Sequence, residues 1–230
     1  MQRASFLKNR LLSGMHRMGE LRFQSNVHGS PYVLCHWLDT AQSQEPEWGG
    51  LERHEGPESA HNLAMDTQNG HCRFLKARAD LRRGWVMLFQ NPNDLRQALD
   101  QFYPAGVGLF FAHENGTLEI DCLRATLDRQ TGMYRSASLI TDAAAQQLVQ
   151  NVCRGTHPCA KRILWAIDAN TPLDHSEPDR FPGRPDGLSE SEAIPLLCRE
   201  ACNHFVEECR KAVKAATGPN GEMSPPMASL

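Results

Sequence analysis

The chain has 230 residues, enough for one domain or two small ones. Hydrophobic residues make up 40% and charged residues 22%, the balance of a globular protein with an ample core. A formal charge of −3 argues against binding nucleic acid or another polyanion, and no stretch reaches the roughly 18 consecutive apolar residues of a membrane span.

The N-terminal stretch MQRASFLKNRLLSGMHRMGE is basic and has no acid before Glu20. Its charges interrupt it too often for a secretory apolar region, so it reads as a helix or arm leading into a first strand. That places the protein in the cytoplasm, where its eight cysteines stay reduced and any clustered set favours metal over disulfides. Cys35, Cys72, Cys122 and Cys209 are scattered and read as small buried apolar residues.

Short apolar runs at 21–24 and 32–37 flank NVHGS, which predicts a β-hairpin. Residues 40–58 carry Pro46, Gly49, Gly50, Gly56 and Pro57 and read as a loop. A short helix is expected over 58–65, then a turn at Asn69-Gly70, then a buried strand over 85–90. Asn91 or Asn93 can cap a helix in which Leu95, Leu99 and Phe102 recur at helical spacing. Segments 109–113 and 117–122 flank Glu-Asn-Gly, which predicts a second hairpin.

From residue 123 the texture changes to helical. Two segments are expected before Gly155, the second capped by Thr141 with Asp142 in its first turn, and Gly155 suits a left-handed C-terminal cap. Residues 163–167 suggest a strand, and 171–190, rich in proline and acids, a long loop. A final helix is expected over 198–216, with Cys202, Phe205, Val206, Cys209 and Val213 as its apolar stripe. The fold class is therefore α+β: a strand-rich N-terminal region over 1–123, a mainly helical region over 124–216, and a disordered tail over 217–230.

Two cysteine pairs organise the second region: CRGTHPC, Cys153 to Cys159, and CREAC, Cys198 to Cys202. Four thiols are what an iron–sulfur cluster or a structural zinc requires. Were Cys198 and Cys202 both helical, their thiols would project from one face about 6 Å apart. Structural zinc sites mostly use C-x₂₋₄-C knuckles in both halves, whereas here one half is C-x₅-C and the other C-x₃-C, and neither matches a ferredoxin spacing, so spacing leaves cluster and zinc both open. It also leaves Cys209 as a substitute for Cys202, and His157 or His204 as members of a mixed site.

The segment IPLLCREACNHFVEECRKAV, the run LDRQTGMYR, the C…C-x-K-R-x-L-W pattern from Cys153 to Trp165, and LKARADLRRGW resemble one family. It is the 4Fe–4S cluster-binding domain found fused to or beside CbiX-type sirohydrochlorin cobaltochelatases. The resemblance runs in the same order over residues 21–213. It implies a [4Fe–4S] cluster held by Cys153, Cys159, Cys198 and Cys202, and a loose link to tetrapyrrole or cobalamin metabolism. Arg199 stands where the family pattern often has proline.

Four protein thiolates saturate such a cluster, which points to electron transfer or structure rather than to an iron open to substrate. The arginines and aromatics Arg82, Arg83, Trp85, Arg129, Tyr134 and Arg135 could meet a tetrapyrrole polycarboxylate or a cobaltochelatase by carboxylate forks and ring stacking. No nucleophile–base set emerges, so no catalysis is assigned. The expected role is an accessory redox or structural iron–sulfur protein. The rival readings are a zinc-stabilised interaction module and an oxidation-sensing cluster protein.

Overall fold

The computed structural model describes residues 15–25, 31–40, 50–66, 80–155, 158–173 and 193–217. The chain divides into two compact units. The first draws on Met1–Leu118, Ala160–Arg162 and Pro178–Leu197, and the second on Glu119–Cys159, Ile163–Glu177 and Cys198–Leu230. Residues 1–14 of the basic stretch, Cys72, the Asn69-Gly70 turn, His157 and the tail expected beyond the last helix lie outside the described residues.

The first unit is built on a sheet. Strands β1 (His16–Met18), β2 (Leu21–Ser25), β3 (Tyr32–His36), β4 (Glu52–His54), β5 (Trp85–Phe89) and β7 (Ala193–Ile194) lie in the order β4-β5-β3-β2-β1-β7. The predicted hairpin is β2–β3, antiparallel, with Leu21 opposite His36 and Phe23 opposite Leu34. Parallel β4 and β7 close the two ends, on β5 and β1 respectively. All five residues of β3 are buried, as are four of the five in β5. A strand covered on both faces reads as a continuous apolar run, which is why β5 shows little alternation in sequence.

A buried carboxylate ties this sheet to its loops. Glu20 accepts hydrogen bonds from the amides of Asp80 and Leu81 at 3.1–3.2 Å, and His36 Nε2 lies 3.5 Å from it. Its own amide donates to the Tyr103 hydroxyl at 3.0 Å. Burial without such partners would be costly, so the carboxylate fixes where residues 80 and 81 enter the sheet. Gly19 sits at φ +58°, and a Cβ there would stand 2.5 Å from the Tyr103 ring. Only glycine fits both the turn and that approach.

Helices α1 (Ser59–Met65), α2 (Pro92–Phe102) and α3 (Gly106–Glu114) complete the unit. α2 begins as its sequence dictates: the Asn91 side chain accepts from the amides of Asn93 and Asp94, and Pro92 takes the first turn. α3 replaces the expected second hairpin. Its Asn-Gly is a helix stop and not a strand turn. Gly116 at φ +64° returns its amide to His113 O, and Thr117 returns its amide to Ala112 O. These two bonds form a Schellman C-cap. Residues 117–122 then run without regular structure.

The second unit is helical. Helix α4 (Leu123–Asp128) leads to a 3₁₀ helix (Gly132–Leu139), then α5 (Asp142–Leu148), which runs into a π turn (Val149–Cys153). Thr141 caps α5 as predicted, accepting from the Ala144 amide at 3.2 Å. Helix α6 (Asn203–Thr217) lays Phe205, Val206, Cys209 and Val213 into a core with Leu123, Leu127, Ile140, Val149 and Trp165. Arg124, not singled out from sequence, joins two elements by donating to the Ile140 carbonyl at 2.6 Å and pairing with Asp142. The strand expected over 163–167 shrinks to β6 (Arg162–Ile163), paired with β8 (Leu197–Cys198).

Candidate metal centre

Each of the four paired cysteines reaches the second unit from a different local structure. Cys153 ends the π turn, and its carbonyl accepts from the Cys159 amide at 2.8 Å. The Arg154 guanidinium donates to the Cys159 carbonyl at 3.1 Å. These bonds fold CRGTHPC back on itself. Gly155 makes that fold possible for a reason other than the one expected. It is not left-handed; instead a Cβ there would stand 2.3 Å from the Asn151 carbonyl oxygen.

The CREAC half is not helical throughout, as the i,i+4 reading required. Cys198 lies in β8, where its carbonyl accepts from the Leu164 amide at 2.9 Å. The helix starts only after Cys202, whose carbonyl accepts its first bond, from the Val206 amide at 3.0 Å. Cys202 is thus the N-cap residue of α6. A strand end and a helix cap, rather than two turns of one helix, present the two thiols. Cys198 is half-buried, as are Cys153 and Cys159, while Cys202 is exposed.

The Cys153 thiol is pushed up to about 12, first by burial and then by Cys159, Cys202 and Cys198, with Arg154 pulling it down. Each of the other three sulfurs therefore lies within electrostatic reach of Cys153. Among the described residues no three His, Cys, Asp or Glu side chains are drawn into a ready single-ion site. A zinc ion about 2.3 Å from each sulfur needs those sulfurs about 3.8 Å apart. A cubane of four irons and four sulfides spaces its thiolates more widely.

Two groups already address these sulfurs. The Trp165 indole Nε1 donates to Cys198 Sγ at 3.3 Å, and the Cys198 thiol donates to the Glu200 carbonyl at 3.2 Å. Trp165 is buried and meets Phe205 edge-on at 5.4 Å. Trp165 and Arg154 both lie inside the quoted CRGTHPCAKRILW run, but nothing in spacing or composition gives either a role.

The substitutes fare differently. Cys209 is buried in the core, its thiol pushed up to about 12 by burial, so it is a packing residue. His204 is half-buried. Cys122 caps α4, its sulfur accepting from the Ala125 amide at 3.4 Å, and Cys35 is buried in β3.

Of the candidate ligand-binding residues, Arg82, Arg83 and Trp85 belong to the first unit and Arg129, Tyr134 and Arg135 to the second. Trp85 cannot serve as a stacking platform. It is buried, stacks on Phe102 at 5.2 Å and donates its indole N–H to the Arg82 carbonyl. Arg82 pairs with Glu52 and Asp66, and Arg129 with Asp121 and Glu200 at 3.1 and 3.2 Å. Tyr134 faces the Arg210 guanidinium at 5.3 Å. Arg83 and Arg135 are exposed.

Residues 115–211 match the family model of a 4Fe–4S iron–sulfur cluster binding domain. That match takes in most of the second half of the chain. This iron–sulfur domain is preceded by a match, over residues 6–114, to the DR2241 stabilising domain. The division between the two models falls close to the Leu118 boundary of the first unit. A solved structure, DR2241 from Deinococcus radiodurans, is 25% identical with a TM-score of 0.68. That protein is described as multi-domain, with structural similarity to chelatases and two additional novel domains. The match covers 91% of this chain and 41% of DR2241, so the chain spans about two fifths of that protein's length. No curated protein matches the chain. The cofactor of the iron–sulfur domain is a [4Fe–4S] cluster, and no helix among the described residues is long and apolar enough to cross a membrane.

Proposed function

We propose that Cys153, Cys159, Cys198 and Cys202 hold the [4Fe–4S] cluster, and that the protein is an accessory redox partner to a chelatase-type enzyme of tetrapyrrole or cobalamin metabolism. The observation that supports the ligand set is that all four cysteines fall within the matched iron–sulfur domain and within the second unit, with the Cys159 amide bonded to the Cys153 carbonyl. When bound, such a cluster supplies a one-electron couple. The chain's own residues do the rest. Cys153 and Cys159 close one side through the Arg154-braced turn, and β8 presents Cys198. Cys202 stands at the positive end of the 15-residue helix α6, which favours the negative charge of a thiolate-bound cluster. Its exposure gives electrons a route to a partner.

The tetrapyrrole link rests on the similarity to DR2241 and its chelatase-like structure. The two domain models take up residues 6–211, so we place the chelatase-like part of DR2241 outside the matched region. Arg83 and Arg135 are exposed candidates for a polycarboxylate, while the exposed Arg129 is already paired with Asp121 and Glu200. Anaerobic dithionite titration followed by EPR tests the redox role. A brown protein that gains a reduced-cluster signal supports electron transfer; an intact cluster that resists reduction leaves a structural role in its place. Unchanged tetrapyrrole absorbance on titration with the protein would remove the ligand part.

A further inference from the structure

We infer that Trp165 is a positioning residue that sets the reduction potential of the cluster, by holding its indole N–H on the sulfur of Cys198. This deepens the function proposed above and rests on Cys198 being a ligand. Three observations lead to it. The Nε1–Sγ distance is 3.3 Å, within hydrogen-bond reach for sulfur. The indole is only 2% exposed, so water does not compete for its N–H. Its ring is held by the edge contact with Phe205, the fourth residue of the helix-start sequence Cys202-Asn-His-Phe.

The donor chemistry gives the contact its direction. An indole N–H can donate but never accept. When Cys198 gives up its proton to bind iron, its thiol contact to the Glu200 carbonyl loses the hydrogen that made it. The Trp165 bond instead gains strength, because its acceptor becomes an anion. Reduction adds one electron and places more negative charge on the cluster and its sulfurs. A donor fixed on one of those sulfurs stabilises the reduced form more than the oxidised form and raises the potential. Hydrogen bonds to ligand sulfurs are among the known levers on iron–sulfur potentials.

The test is Trp165→Phe in the anaerobically purified holoprotein. Phenylalanine keeps a ring against Phe205 and removes only the N–H. Full iron and sulfide content with a more negative midpoint potential is the expected result; full content with an unchanged potential overturns the inference. Should the variant not load, wild-type holoprotein grown with indole-¹⁵N tryptophan decides. Pulsed EPR of the reduced cluster shows a ¹⁵N coupling if the bond exists, and its absence overturns the inference. Cys198→Ser separates this from failure of the ligand set. If that variant keeps a full cluster of wild-type potential and spectrum, Cys198 is not a ligand and the underlying reading fails, whatever Trp165 does.

Discussion

Replacing Gly155 with alanine attacks the Cys153–Cys159 turn, proposed to hold the cluster, without touching a sulfur. The added Cβ would meet the Asn151 carbonyl oxygen at 2.3 Å and the carbonyl carbon at 3.2 Å. Both are backbone atoms at the end of the π turn, so no side chain can swing away. Ordinary contact begins near 3.4 Å, and the two segments must part by about 1 Å. Overpacking of this kind costs about 1–3 kcal/mol. In a chain of 230 residues that lowers the melting temperature by roughly 2–12 °C. The same displacement pulls on the Cys153 carbonyl and on the Arg154 brace that shape the Cys153–Cys159 turn. Gly155→Ala should therefore melt earlier as apoprotein and take up less iron and sulfide on anaerobic reconstitution. A variant that melts and loads like wild type would refute the claim that this close approach shapes the turn.

Two further perturbations probe the first unit. Glu20→Ala leaves the buried amides of Asp80 and Leu81 without their acceptor and should cost about 3 kcal/mol in urea unfolding, while an unchanged midpoint would show that the loop is held elsewhere. Cys35 is pushed from 9.0 up to about 12 by burial, so its stabilising contribution is complete below pH 9 and is lost as pH rises from 9 towards 12. Wild type should therefore lose about 1.4 kcal/mol more per pH unit in that window than Cys35→Ala; parallel decline of the two would contradict the assignment.

Local chemistry made much of this fold legible. The Asn91-Pro92 start of α2 and the Thr141 cap of α5 are side-chain events within three residues, and both formed as read. The β2–β3 hairpin follows from two apolar runs and a turn between them. What failed needed information from further away. An Asn-Gly shortly after the apolar run 109–112 serves a hairpin or a helix stop equally well, and Val107 and Phe110, buried one helical turn apart, decide it. Cys198 looked helical because Cys202 and Cys209 continue its spacing. The strand bond from Leu164, 34 residues earlier, holds it in β8 instead. Trp85 read as a surface platform because arginines precede it, yet its place in β5 buries it. The four cysteines stand out in sequence as a candidate set from their pairing and from family resemblance. The Trp165 contact was not, because it joins residues 33 positions apart.

The most direct test of the ligand set is iron and acid-labile sulfide analysis of anaerobically purified protein, with each cysteine changed in turn to alanine. Wild type should carry about four of each per chain. Alanine at Cys153, Cys159, Cys198 or Cys202 should strip most of that content, while alanine at Cys35, Cys122 or Cys209 should leave it intact. A full complement in any of the first four variants, or loss confined to the other three, would contradict the assignment.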